Sequence, residues 1–197
     1  MKFTKTPLSG VVLIDLDIRG DERGFFARQF CTREAVDAGV NPHIAQVNIT
    51  MSAKAGTLRG MHYQIEPHAE TKMVRCLRGE IFDCVLDLRP NSPTFGGSFG
   101  AKLSAANRQM MYVPKGFAHG LMTLTDDVEI LYFMGSEYHP ASERGIRYDD
   151  AAFNIPWPGE PREISPKDES WPDFDPAGHG IDSFASLYRD AAALPAG

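Results

Sequence analysis

Apolar residues gather along the chain in short runs: "VVLIDLDI", "GFFARQF", "HIAQVNITM", "TLRGMHYQ", "KMVRCLRG", "EIFDCVLDLR", "QMMYVP", "GLMTL" and "VEILYFM". Each is rich in β-branched, aromatic or aliphatic residues, and glycine, proline or asparagine punctuates the series. Strand-length runs at this spacing predict an all-β domain, a sandwich, jelly roll or barrel, rather than alternating βαβ units. Helix is scarce in the pattern. "TREAVDAG" has Thr32 placed as an N-cap and Gly39 as a stop, which predicts a helix of one or two turns. The tail "DSFASLYRDAAAL" opens on Asp182 and Ser183, both cap-forming, and sets Phe184, Leu187 and Tyr188 on one face, predicting a short docked helix. Residues 157–180 carry repeated prolines and no periodic run, so they are expected to wrap the core as irregular chain. Residues 1–170 are expected to form the main domain and residues 171–197 an extension.

Composition narrows the class. With 197 residues, 43% of them hydrophobic, the chain can bury one sizeable core. A net charge of −6 argues against a broad basic surface for nucleic acid or anionic lipid, yet a local basic pocket could still hold a phosphate. Cys31, Cys76 and Cys84 form no CxxC pair and read as buried thiols in a reducing compartment. The apolar run before Asp15 is too short for a signal sequence, and no segment approaches a membrane span. A cytoplasmic protein is the expectation.

Three segments carry charge or imidazole where a strand would hold apolar residues: "TLRGMHYQ", "ETKMVRCLRGEIFDC" and "PKGFAHG". A lone histidine in a sheet is commonly a hydrogen-bonded core residue, and Lys72 or Arg75 could be rim charges guarding a strand edge. Their joint appearance in strands expected to share one sheet points instead to a site built from Arg59, His62, Lys72 and His119. Arg59 and His62 fall on opposite strand parities, so a bulge at Gly60 is needed to aim both into one interior.

Pro114, Gly116 and His119 have the P-x-G-x-x-H spacing that resembles the second half of the cupin signature. Metal-binding cupins also need H-x-H followed by glutamate. Here His62 and His68 stand six apart, which does not supply adjacent inward imidazoles, so the expectation is a cupin-like double-stranded β-helix without metal. Histidine, lysine and arginine in such a chamber suit proton removal beside a carbonyl: a base near neutral pKa, with cations stabilising the enolate oxygen. Inverting a stereocentre needs an acid on the other face. Tyr132, in "VEILYFM", is a candidate donor, although an interior aromatic on a strand is its simpler reading.

In the stretches "DERGFF", "QVN", "GTLRGMHYQ", "KMVRCLRGEIFDCVLDLR", "SPTFG", "LSAANRQ", "VPKGFAHG", "ERGIRYDD" and "SPKD", the chain resembles the deoxysugar 3,5-epimerases typified by dTDP-4-dehydrorhamnose 3,5-epimerase. The resemblance runs from about residue 5 to about residue 170. It implies a cofactor-free epimerase, a homodimer that pairs strands across its interface and acts on a nucleoside-diphosphate 4-keto-6-deoxyhexose. It implies His62 as the base, Asp168 as its carboxylate partner, Tyr132 as the opposing acid, and Lys72, Arg59 and His119 around the C4 oxygen. Local sequence alone would make Asp168 only a cap or turn residue. Arg23, Gln46, Asn48, Tyr138 and Glu143 fall on nucleotide-binding positions, with Tyr138 stacking on the base. Arg28 stands near the nucleotide where the family commonly has glutamate, an exchange that removes an acceptor, adds a donor and leaves the nucleotide preference open. The rival expectations are a 3-epimerase or 3,4-ketoisomerase, a metal cupin, and a non-catalytic sugar-nucleotide binder.

Overall fold

The computed structural model describes residues 1–188, which form β1 (Lys2–Lys5), β2 (Val12–Asp15), β3 (Ile18–Asp21), β4 (Gly24–Ala27), α1 (Thr32–Asp37), β5 (Gln46–Ser52), β6 (Thr57–Gln64), β7 (Lys72–Arg78), β8 (Glu80–Asp87), β9 (Ser98–Ser104), β10 (Met110–Val113), β11 (Phe117–Thr123), β12 (Val128–Met134), β13 (Glu143–Gly145), β14 (Glu163–Ile164) and α2 (Pro166–Glu169). Two mainly antiparallel sheets result. The first has the order β1-β2-β10-β7-β12-β5, and the second β13-β6-β11-β8-β9 with β14 added beside β6. They pack face to face as a cupin-like jelly roll, because alternation along each strand gives both sheets an apolar inner face.

Val74, Cys76, Met111 and Ile130 of the first sheet meet Ile81, Val85, Leu103, Phe117 and Leu121 of the second in the central core. The outer face of the second sheet is apolar as well: Met61, Tyr63, Leu86 and Ala118 lie beneath Ile146, Ile181 and Phe184 from the later chain. A third cluster, built from Val12, Ile14, Met73, Met110 and Tyr112, packs α1 on the outside of the first sheet through Ala35. Part of the chain past Gly145 is therefore a cover for one sheet face, and burial of Ile146, Ile181 and Phe184 holds it in place.

Three local expectations change. Cys31 occupies the N-cap of α1 with no side-chain cap, and Thr32 is the first helical residue, while the positive φ of Gly39 does mark the stop. Residues 157–180 are not wholly irregular: β14 pairs in parallel with β6, and α2 follows a Ser165 cap with Pro166 in its first turn. The tail forms a single 3-10 turn at Ile181–Phe184 rather than an α-helix, and the part of the expected helix beyond Tyr188 lies outside the described residues. Phe184 and Leu187 nevertheless dock against the outer cluster.

The bulge at Gly60 is present. Across β6 and β11, His119 pairs with His62 but Leu121 with Arg59, so two residues of β6, Gly60 and Met61, face Gly120 alone. The extra residue reverses the parity of β6, sending both Arg59 and His62 inward while Met61 and Tyr63 pack outside. Gly60 has φ +123, and a Cβ on it would lie 2.5 Å from the Gly120 Cα. Gly60→Ala should destabilise the fold by at least about 1–3 kcal/mol through overpacking, read as a lower denaturant midpoint with the transition slope kept. An unchanged midpoint would show that the two strands can separate there at no cost.

Candidate active site

A cavity of about 540 Å³ opens between the two sheets. β6 contributes Arg59 and His62, β7 Lys72, β11 His119, β12 Tyr132, and β5 Asn48 and Thr50, while the segment around α2 closes one side with Lys167 and Asp168. Seven of the expected residues thus share one chamber: Asn48, Arg59, His62, Lys72, His119, Tyr132 and Asp168.

His62 is tied to Asp168 at 2.5 Å from Nε2 to Oδ1. The buried carboxylate also accepts the Gly60 N–H at 3.3 Å, and the Asp168 N–H donates to Ser165 Oγ at 3.1 Å, so the cap of α2 sets the aspartate's position. Burial pushes the Asp168 carboxyl up, but the His62 hydrogen bond and charge, with the Gly60 and Ser165 bonds, outweigh this and hold it below its ordinary value. With Nε2 held by the carboxylate, Nδ1 is the nitrogen left to accept a proton. The Trp171 ring stands edge-on to His62 with centroids 6.5 Å apart.

On the same sheet His119 Nε2 meets the fully buried Asp83 at 2.8 Å. Tyr132 stands on the opposite sheet, its ring edge-on to His119 at 6.3 Å between centroids. Burial, with Asp83 adding to it, pushes the Tyr132 phenol well above its usual range, so at neutral pH it carries its proton. A paired imidazole therefore faces a protonated phenol across the chamber. Arg59 donates to Ser52 Oγ and the Met51 carbonyl, and among the described residues it forms no ion pair with a carboxylate.

The nucleotide-type residues divide into two groups. Gln46, Tyr138 and Glu143 form a network at the rim: the Tyr138 N–H donates to Gln46 Oε1, and its hydroxyl donates to Glu143 Oε2 at 2.8 Å. Lys167 joins this network to the chamber through Glu143 at 2.6 Å. Arg23 and Arg28 are not brought to the cavity within one chain. Arg23 sits at the tip of the β3–β4 hairpin bound to Asp21, and Arg28 pairs with Glu34 of α1. Sequence reasoning missed Lys167, Asp83, Glu70, Thr50 and Trp171. Asp83 left a signal, a charge inside the apolar run "EIFDCVLDL"; Lys167 stood next to the chosen Asp168.

The family model described as dTDP-4-dehydrorhamnose 3,5-epimerase matches residues 5–176. A dTDP-4-dehydrorhamnose 3,5-epimerase of Shigella flexneri is 42% identical over 169 residues, 85% of this chain and 93% of that protein. The crystal structure of a Bacillus anthracis enzyme of that name, with TDP and pyrophosphate bound, superposes with a TM-score of 0.84 at 37% identity, covering 88% of this chain and 99% of that one. A dTDP-4-dehydrorhamnose 3-epimerase of Streptomyces niveus is 33% identical over 170 residues, 86% of this chain and 82% of that protein. The chain belongs to the dTDP-4-dehydrorhamnose 3,5-epimerase family.

The depressed Asp168 value has a consequence for stability. Its contribution is present above the unfolded carboxylate range, near pH 4, and is lost as pH falls through the lower folded value. Melting temperature should therefore drop on acidification below about pH 4, and Asp168→Asn should flatten that limb. Identical acid profiles for the two proteins would remove Asp168 from the account.

Proposed function

We propose that the protein epimerises a nucleoside-diphosphate 4-keto-6-deoxyhexose, dTDP-4-dehydro-6-deoxyglucose, at C3 and C5 to give dTDP-4-dehydrorhamnose. The observation that carries this reading is the His62–Asp168 pair on one wall facing the protonated Tyr132 on the other, with cations between. His62 takes a proton from the carbon beside the C4 carbonyl. The electrons move onto the C4 oxygen, where Lys72, Arg59 and His119 stabilise the enolate. Tyr132 then returns a proton from the opposite face, and the configuration inverts. One positioned acid or base contributes about 10²–10⁴-fold and one oxyanion donor about 2.7–4 kcal/mol, so this set suffices for a useful rate.

Nucleotide binding falls to the rim, where the half-exposed Tyr138 can stack on the base and Lys167 and Arg59 face phosphate. A dimer would complete the site. The β3–β4 hairpin is not hydrogen-bonded into either large sheet and exposes Phe25 and Phe26, while the edge strand β5 exposes Val47, Ile49 and Met51. Two copies that cover these faces with each other's arms would bring Arg23 of the partner subunit toward the nucleotide. The three free cysteines suit a reducing compartment, and we place the reaction in the cytoplasm.

A 3-epimerase is the second reading, supported by the Streptomyces niveus relative. Proton NMR with dTDP-4-keto-6-deoxyglucose in deuterated water separates the two. Deuterium at both carbons is expected, and deuterium at C3 alone would establish the single-centre reaction. His62→Ala should abolish exchange at both positions while leaving nucleotide binding largely intact; turnover near wild type would remove His62 as base. Tyr132→Phe should keep washout but lose inversion, and loss of all exchange would assign the phenol a wider role. Ile49→Asp should yield monomers by analytical ultracentrifugation, whereas a monomeric wild type would refute the shared site.

A further inference from the structure

Lys72 opens β7 and lines the chamber while only 7% exposed. An ammonium so deeply placed needs fixed partners, because burial without them favours the neutral amine. One partner is the His62 carbonyl, which accepts from Nζ at 3.0 Å. The other is Glu70, two residues earlier, whose Oε1 lies 3.1 Å from the same nitrogen, with both side chains less than one-tenth exposed. The second Glu70 oxygen accepts from Gln64 Nε2 at 2.9 Å. Gln64 is itself held: its Oε1 accepts the His139 N–H at 2.6 Å and its Nε2 reaches the carbonyls of His68 and Glu137. The carboxylate is thus pinned at one oxygen by the ammonium and at the other by an amide anchored to β6 and to the loop that carries Tyr138.

We propose that Glu70 is a positioning residue for this reaction, holding Lys72 turned so that its remaining N–H faces the C4 oxygen. The inference rests on the role given to Lys72 above. An ammonium has three donors. The His62 carbonyl takes one and the Glu70 carboxylate holds a second side, which leaves the cavity side for the ligand. The other charged and titratable groups around the chamber are already engaged or neutral. His62 of β6 is bound to Asp168 of α2, His119 of β11 to Asp83 of β8, and Lys167 to Glu143 at the rim; Glu163 of β14 accepts from Thr57 Oγ1 at 3.2 Å, and Tyr132 of β12 is protonated. Arg59 of β6 adds a second positive charge to the same chamber. Among the described residues, Glu70 is the only carboxylate in an ion pair with Lys72.

The test compares Glu70→Gln, Glu70→Asp and Lys72→Ala with the wild type, measuring kcat and KM on the nucleotide sugar. In Glu70→Gln, kcat should fall about 10- to 100-fold, as expected when a reacting group is misplaced by about an ångström, with KM changed less than about 3-fold on the same account. Glu70→Asp keeps the charge on a shorter arm, so it should recover part of the lost kcat with KM again near the wild-type value. A purely structural role would not lower kcat alone and return part of it in the conservative variant. Unchanged kcat in Glu70→Gln, beside a defective Lys72→Ala, would overturn the inference, as would a raised KM with kcat intact. Full activity in Lys72→Ala would instead overturn the role of Lys72 itself. If Glu70→Gln does not fold, the Glu70→Asp pattern decides: a kcat equal to wild type refutes the positioning role.

Discussion

A Cβ on Gly60 would lie 2.5 Å from the Gly120 Cα, and one on Gly120 would lie 2.9 Å from the Arg59 carbonyl oxygen. β6 and β11 therefore approach at a distance that only hydrogens at both positions allow. The close approach accommodates the extra residue in β6, and that residue turns Arg59 and His62 to the same side. In a regular strand they would point to opposite faces, and a charged group would be driven into the apolar cover beneath Phe184. The Gly60 N–H also donates to Asp168, so the feature that aims the histidine helps hold its carboxylate partner.

Charge in the chamber is organised in pairs. His62 with Asp168, His119 with Asp83, Lys72 with Glu70 and Lys167 with Glu143 each join a basic group to an acid on a different element or turn. Partnering of this kind offsets the cost of taking charges out of water. It also leaves Arg59, bonded to a hydroxyl and a backbone carbonyl, as a cation whose charge is available to an anionic ligand. A protein with net charge −6 can thus attract a diphosphate locally.

Strand content and several residues of the chamber were legible because the relevant residues break a local rule. Arg59, His62 and Lys72 are polar in runs that otherwise read as strands, and Gly60 announces the bulge that unites them. Tyr132 and Asp168 break no rule: an aromatic suits a strand interior and an aspartate suits a helix start, so their expected roles rested on the family resemblance. Glu70 was hidden in a polar connection, where a carboxylate is ordinary until folding buries it beside an ammonium. Ser165 and Pro166 form an N-cap and first-turn signal that identifies α2, yet the surrounding prolines masked it. The tail departed from expectation because its described part closes with i to i+3 bonds, Asp182 to Ala185 and Phe184 to Leu187, which build a 3-10 turn.

His62 and Asp168 are 106 residues apart in the chain. During synthesis β5 to β12, which build both walls of the chamber, all emerge before the carboxylate that pairs with His62. The same late segment supplies Ile181 and Phe184, which cover Met61, Tyr63 and Leu86. A chain ended early therefore lacks the partner of His62 and leaves that sheet face bare, the kind of exposed apolar surface that promotes aggregation.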